Sequence, residues 1–276
     1  MMMKRILTAL VLIPLVLVLV IKGPYWLITP VVALIAELAL WEYLNLADAS
    51  GVRTPRIASA IAVAILFYFT FWRPELIAPL AGAITLALLI ICAFRSPLDR
   101  VLPDAAFAIF GILYIGLSLT TLPLLSQQDN GPSLLIFLLF VVWSGDILAL
   151  YIGRTWGRRK LAPAISPGKS WEGSIASMVG SLIIAGLLFW FALFLQAHGI
   201  ITLSYPGSVL RWLILAAIIN IAAQVGDLVE SAIKRGAGAK DSGTLLPGHG
   251  GMLDRIDALL LAAPVLWYAL LVQQSF

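Results

Sequence analysis

The stretch SLLIFLLFVVWSGDILALYI, residues 133–152, holds one charged side chain, Asp146. As a helix, an apolar run of about twenty residues matches the hydrocarbon thickness of a bilayer. Backbone groups in lipid must find their hydrogen bonds within the segment, so a membrane-spanning helix is expected here. A carboxylate inside such a helix is costly, ordinarily faces the bundle interior, and marks a functional site. Immediately beyond, GRTWGRRK at residues 153–160 sets two glycines among four cations.

Outward from this run the pattern repeats. Hydrophobic residues make up 61% of the 276 and charged residues only 12%, against roughly 45–50% apolar in a soluble domain. Apolar blocks bounded by charges, Pro or Gly fall at residues 6–21, 25–44, 57–71, 76–94, 105–125, 133–152, 174–196, 209–223 and 258–271. No strand-like alternation suggests a barrel. The expectation is an all-α, polytopic integral membrane bundle of nine transmembrane helices. It forms a single domain over residues 1–276, with N-terminal helices at 1–125 and catalytic helices and loops at 126–276. The first run follows Lys4-Arg5 as a secretory leader would, but ends in IKGPYW without a small-residue cleavage site. It therefore reads as the first span.

Basic residues orient the bundle. With loops on alternate sides, 15 of the 18 Lys and Arg share the N-terminal side, among them Lys4, Arg5, Arg53, Arg56, Arg95 and Arg100. The other side keeps Lys22, Arg73 and Arg211. Loops on the cytoplasmic face carry such an excess. The N-terminus and both charged loops are thus expected in the cytoplasm, the C-terminus outside, and the protein in the cytoplasmic (inner) membrane. The net charge of +4 reflects these loops and gives no reason to expect nucleic acid. Cys92, the lone cysteine, rules out an intramolecular disulfide and a cysteine metal site. His198 lies in a short outer loop and receives no role.

Two charged clusters lie on the N-terminal side. One spans residues 143–174, with Asp146, Gly153-Arg154, the cations Arg158, Arg159 and Lys160, and SPGKSWEG from Ser166. Amides and cations of this kind can cradle phosphates, although the spacing is not that of a Walker loop. For Arg158, Arg159 and Lys160, plain anchoring at the membrane face is an equal reading. The other cluster begins at QVGDLVESAIKR and runs to Asp257. Asp227, Glu230, Ser231 and Lys234 form one polar stripe at helical spacing, opposite Leu228, Val229 and Ile233. Asp254 and Asp257 are expected on the first turn of the last helix, where the macrodipole favours carboxylates.

Asp227 and Asp254, from neighbouring helices, could therefore converge. Two carboxylates brought together need protonation or a cation. The economical answer is a hard divalent ion such as Mg²⁺, which takes one or two carboxylates plus substrate phosphates. Scarce His and Cys argue against zinc. The alternative is that these aspartates pair with Lys234, Arg235 and Arg255. The run 236–251 holds six glycines and Pro247, which suits a loop folding over a ligand. His249 within it could donate to a phosphate or fix the loop.

Residues 231–257 resemble the signature of the phosphatidate cytidylyltransferases, the CDP-diacylglycerol synthases. The pattern runs through Ser231, Lys234-Arg235, Lys240-Asp241, Leu246-Pro247, His249-Gly250-Gly251 and Asp254-Arg255-Ile256-Asp257. Asp146, Gly153-Arg154 and the segment from Ser166 are similar to the family's other cluster. The first half resembles the family only in hydropathy. The resemblance implies transfer of the cytidylyl group of CTP to phosphatidate, with CDP-diacylglycerol and pyrophosphate as products, in phospholipid biosynthesis. It implies catalytic roles for Lys234, Arg235, Lys240, Asp241, His249, Arg255 and Asp257. Substrate binding would fall to Asp146, Ser166, Lys169, Ser231, Gly250 and Gly251, and Mg²⁺ to Asp227 and Asp254. The expected partners are CTP, phosphatidate and the bilayer, with a second copy of the chain as a further candidate.

Two other functions are consistent with parts of this pattern. A CTP-dependent kinase of polyprenol or phytol type would share the nucleotide handling but release CDP. An ion-coupled transporter would use Glu37, Asp146 and Asp227 as an ion path, yet it calls for matching broken helices in two halves, and its charges would spread to the midplane rather than crowd one face.

Overall fold

The computed structural model describes residues 2–200, 202–245 and 250–274, with side chains from 12 to 273. Leu246, Pro247 and His249 lie outside the described residues. Every apolar block is a helix: α1 (Met2–Lys22), α2 (Tyr25–Ala49), α3 (Arg56–Trp72), α4 (Ile77–Arg95), α5 (Val101–Gly111), α6 (Ser118–Ser126), α7 (Gly131–Trp156), α8 (Trp171–Ala197), α9 (Val209–Gly236), α10 (Leu253–Ile256) and α11 (Leu259–Gln274). Among the described residues, seven runs are long and apolar enough to cross a membrane, with α5–α6 and α10–α11 each counted as one. Leu12–Lys22 and α3 are shorter apolar helices. The architecture is an all-α polytopic membrane bundle.

Three details depart from the expected outline. α9 continues past the end of the apolar block at residue 223 to Gly236, taking in the stripe of Asp227, Glu230, Ser231 and Lys234. The loop after α7 is partly ordered as an antiparallel hairpin, β1 (Lys160–Ala162) and β2 (Ser166–Ser170), with Lys160 opposite Ser170. The expected shared first turn of Asp254 and Asp257 is divided. Asp254 sits in the single turn of α10, and Asp257 lies in the break before α11, its Oδ1 accepting from the Ala258 N–H at 2.8 Å.

The chain forms two compact units, Met1–Leu124 with Ile233–Ile256, and Leu125–Ala232 with Asp257–Phe276. In the first, α2 packs on α3, α5 and the π-helical segment Ile112–Leu117. Small residues permit that approach. A Cβ on Gly111 would stand 2.6 Å from the Tyr43 ring, and one on Gly116 2.9 Å from Val63. The Tyr43 hydroxyl, in turn, donates to the Phe107 carbonyl at 3.1 Å.

In the second unit α7 and α8 lie closely side by side. Lipid supplies no hydrophobic force between helices, so close packing of small residues and interhelical hydrogen bonds carry the association. Both are present here. Gly145 leaves room for a polar knot in which Asn220 donates to Ser177 and Ser181, each at 2.8 Å. Ser181 donates onward to the Val141 carbonyl at 2.7 Å, and Gln224 donates to Asn220 at 2.6 Å. At the other end of the unit, the Trp212 ring is buried against Phe137 and Tyr205, with both centroid distances 4.9 Å.

Asn220→Leu is expected to destabilise the detergent-solubilised protein by about 1–2 kcal/mol, the scale of an interhelical polar contact in lipid. Gly145→Leu, which forces a side chain into the same knot, is expected to cost more. Thermal melts followed by tryptophan fluorescence check this order, and melting like the parent in both variants would rule the knot out as a packing determinant.

Candidate active site

In the unit containing α7–α9, the hairpin and all three helices build one cavity of about 430 Å³. Asp146 and Arg154 reach it from α7, Lys169 from β2, and Gln224 and Asp227 from α9. The hairpin is seated by Ser170, whose backbone pairs with Lys160 and whose side chain caps α8 by accepting from Gly173 N–H at 3.2 Å. This cap fixes the neighbouring Lys169, whose Nζ stands 2.6 Å from Asp227 Oδ2. Ser231 donates to the other Asp227 oxygen at 3.4 Å. Ser174 donates to Gln224 at 2.5 Å, which joins the cavity wall to the polar knot beneath it. Asp146, Lys169 and Asp227, read from separate segments of sequence, thus share one cavity. Ser166 opens β2, and Arg158, Arg159 and Lys160 are exposed.

Two carboxylates of this cavity could hold a hard divalent cation, with Lys169 competing for Asp227. Asp146 and Asp227 both present carboxylates to it, and Lys169 is the one cation within ion-pair distance of Asp227 among the described residues. Its carboxylates, without Cys or His among the lining residues, would suit Mg²⁺ better than zinc.

The other unit carries the second cluster. Asp254 is buried, its side chain 8% exposed, and its Oδ1 lies 2.5 Å from Lys234 Nζ. Oδ2 accepts from Ser242 N–H at 3.0 Å, Ser242 Oγ–H at 3.0 Å and Gly251 N–H at 2.8 Å. Both oxygens of Asp254, expected from sequence as a metal ligand, are therefore engaged by protein donors. A charge withdrawn from water this far is tolerated only with such compensation.

Glu42 is the residue that sequence reasoning missed. It lies on α2, 6% exposed, and accepts from Met252 N–H at 2.9 Å, Leu253 N–H at 2.8 Å and Ser242 Oγ–H at 3.0 Å. The two amides are at the start of α10, where N–H groups have no intrahelical partner. Glu42 is thus a remote cap for the turn that carries Asp254. The Ser242 hydroxyl has one proton and stands between Glu42 and Asp254, so it donates to one carboxylate at a time. The glycines now have a local reason. A Cβ on Gly243 would sit 2.6 Å from Glu42 Oε1, and one on Gly251 would collide with Glu42 and Ser242. Gly250 has φ +78°, and its Cβ would meet Asp254 Oδ2. The available signal was a carboxylate within the apolar block 25–44, the feature that drew attention to Glu37. Glu37, however, is only partly buried.

The remaining expected residues lie around this core. Arg235 is exposed and donates to the Ala239 carbonyl at 2.9 Å. Lys240, Asp241 and Arg255 are exposed. Glu230 of the α9 stripe is fully buried, while Asp227 and Ser231 are partly so. Chemically, the two clusters offer fixed cations and carboxylates suited to binding phosphates and offsetting charge that builds on them.

Comparison with known proteins agrees with this chemistry. A phosphatidate cytidylyltransferase of Pseudomonas aeruginosa is 35% identical over 98% of both chains. One of Staphylococcus haemolyticus is 33% identical over 84% of this chain and 85% of its own. One of Brucella abortus is 43% identical over 164 residues, 57% of this chain and 54% of its own, so the match spans about half the length of that relative. The model of the cytidylyltransferase family matches residues 3–273. The chain belongs to the cytidylyltransferase family.

Proposed function

We propose that this protein transfers the cytidylyl group of CTP to phosphatidate, giving CDP-diacylglycerol and pyrophosphate. The observation that carries the reading is the buried Lys234–Asp254 pair, clamped by Ser242 and Glu42 inside the segment that resembles the family signature. The names of the relatives support the same activity.

A phosphate oxygen of phosphatidate attacks the α-phosphorus of CTP, and the bond from that phosphorus to the β-bridging oxygen breaks. Pyrophosphate leaves with the bond electrons. The attacking phosphate is ionised near neutral pH, so the site needs no strong base. It needs cations that bring two polyanions together and offset charge on the leaving group. Lys169 and Arg154 stand at the cavity for this purpose, and Lys240, Arg235 and Arg255 supply exposed cations from the signature segment. Asp254 keeps Lys234 in one orientation, and Glu42 keeps Asp254 in place by securing α10. Asp227, with Asp146, would hold Mg²⁺, which when bound screens the phosphate charges. The basic excess on one side of the alternating loops supports a cytoplasm-facing site in a bacterial inner membrane.

Four measurements test this reading. Purified protein in micelles, given phosphatidate and radiolabelled CTP, is expected to form labelled lipid and pyrophosphate. Release of CDP with phosphorylated lipid would identify a lipid kinase instead. A chelator is expected to stop turnover and added Mg²⁺ to restore it, while activity indifferent to both would remove the metal from the scheme. Asp254→Asn places an amide group against Lys234 or the Ser242 and Gly251 donors, and turnover is expected to fall at least about 100-fold. Glu42→Gln is expected to cost about 1–3 kcal/mol of stability, since one acceptor becomes a donor facing N–H groups, and to lower kcat more than it raises KM. Wild-type kinetics in a folded Glu42→Gln protein would separate that carboxylate from the active site.

A further inference from the structure

The unit containing α1–α6 holds a second cavity, of about 980 Å³, between the α2–α3 turn and the α4–α5 turn. Its polar wall includes Arg53, Thr54, Arg95, Asp99 and Arg100. It shares no lining residue with the Asp146–Asp227 cavity or with the Lys234–Asp254 cluster. Two further carboxylates that reach it are already engaged. Asp104, 2% exposed, accepts from Arg53 N–H at 3.0 Å and from Ser96 Oγ–H at 2.6 Å. Asp48 pairs with Arg56 at 2.7 Å. Arg100 spends one donor on the Gly51 carbonyl.

What remains is a surplus of donors. The exposed guanidiniums of Arg53 and Arg95 make no protein hydrogen bond or ion pair among the described residues, and Asp99 is the one carboxylate left to face them. Thr54 lines the same space, in a residue only 9% exposed, and its buried hydroxyl has no hydrogen-bond partner. A buried hydroxyl without a partner is a cost the fold should not carry unless a ligand satisfies it. Guanidiniums lining one cavity with such a residue match a phosphate group.

The cavity continues into an apolar groove of about 450 Å³ between α3 and α4, and the two share Ile91 and Arg95. Ile57, Ile61, Ile90 and Phe94 line the groove, with Ile57 and Phe94 78% and 86% exposed. An anion site opening onto a chain-wide apolar furrow fits a molecule with a phosphate at one end and hydrocarbon at the other. A soluble nucleotide would leave the furrow empty. We propose that this is an accessory site for an anionic glycerophospholipid, its phosphate held by Arg53, Arg95 and Thr54 and one acyl chain lying between α3 and α4. Basic pockets at the ends of membrane helices take lipid headgroups by the same electrostatics. The site does not depend on the transfer reaction.

Native mass spectrometry of the full-length, detergent-purified protein tests it, with phosphatidylglycerol, phosphatidate and phosphatidylcholine titrated separately. The parent is expected to bind the two anionic lipids more tightly than phosphatidylcholine. Arg53→Gln with Arg95→Gln should weaken that anionic binding by about 10–30-fold and leave phosphatidylcholine unchanged. An effect on phosphatidate alone, with phosphatidylglycerol unchanged, would assign the cavity to the transfer substrate and overturns the accessory site. Ile61→Trp, at an exposed groove position, should weaken lipid binding without touching a cation, and it carries the test if the double variant fails to fold. Unchanged anionic-lipid binding in these variants overturns the proposal. So does displacement of phosphatidylglycerol by inorganic phosphate at equal concentration, which would show that the hydrocarbon contributes nothing.

Discussion

A carboxylate taken out of water must be given donors, and that requirement organises the signature segment of this protein. Asp254 and Glu42 are both nearly inaccessible, and between them they engage Lys234, the Ser242 hydroxyl and amide, and the amides of Gly251, Met252 and Leu253. Ser242, Met252 and Leu253 are thereby tied to α2 through Glu42. Removing one member would leave a charge or an amide unpaired in a low-dielectric setting, so these groups hold as a set or fail as one.

The same economy explains the glycines. In an isolated loop they would signify freedom. Here Gly243 and Gly251 are places where backbone approaches Glu42 more closely than any side chain allows, and Gly250 adopts a left-handed conformation over Asp254. Flexibility in the unfolded chain becomes close contact in the folded one, which positions the cationic side chains that follow.

Among α7, α8 and α9 the constraint is the bilayer. Apolar helices in lipid gain little from apolar contact with one another, and specificity comes from Gly145, Ser177, Ser181, Asn220 and Gln224. This knot runs up to the cavity where Lys169 meets Asp227. The packing determinant and the functional cavity are consecutive levels of one polar column, which accounts for the polar positions in otherwise apolar blocks.

Sequence by itself determined the class of structure and the composition of the site. The nine apolar blocks are helices because length and hydropathy are local properties, and Asp146, Lys169 and Asp227 were each readable as candidates because charge in an apolar chain is rare, but the sequence paired Asp227 with Asp254, and the structure sets it beside Lys169. Local pattern also has limits. The hairpin that aims Lys169 depends on pairing between Lys160 and Ser170, the break before α11 depends on Asp257, and both escaped a reading based on periodicity. Only tertiary structure decided that Glu42, 200 residues from Ser242, is the acceptor for the signature segment. It likewise decided that Thr54 lines one cavity with Arg53 and Arg95. The physical reason is the same in each case. A residue's hydrophobicity and charge are written at its own position, whereas the partner that satisfies a buried polar group is chosen by which distant segment packs against it.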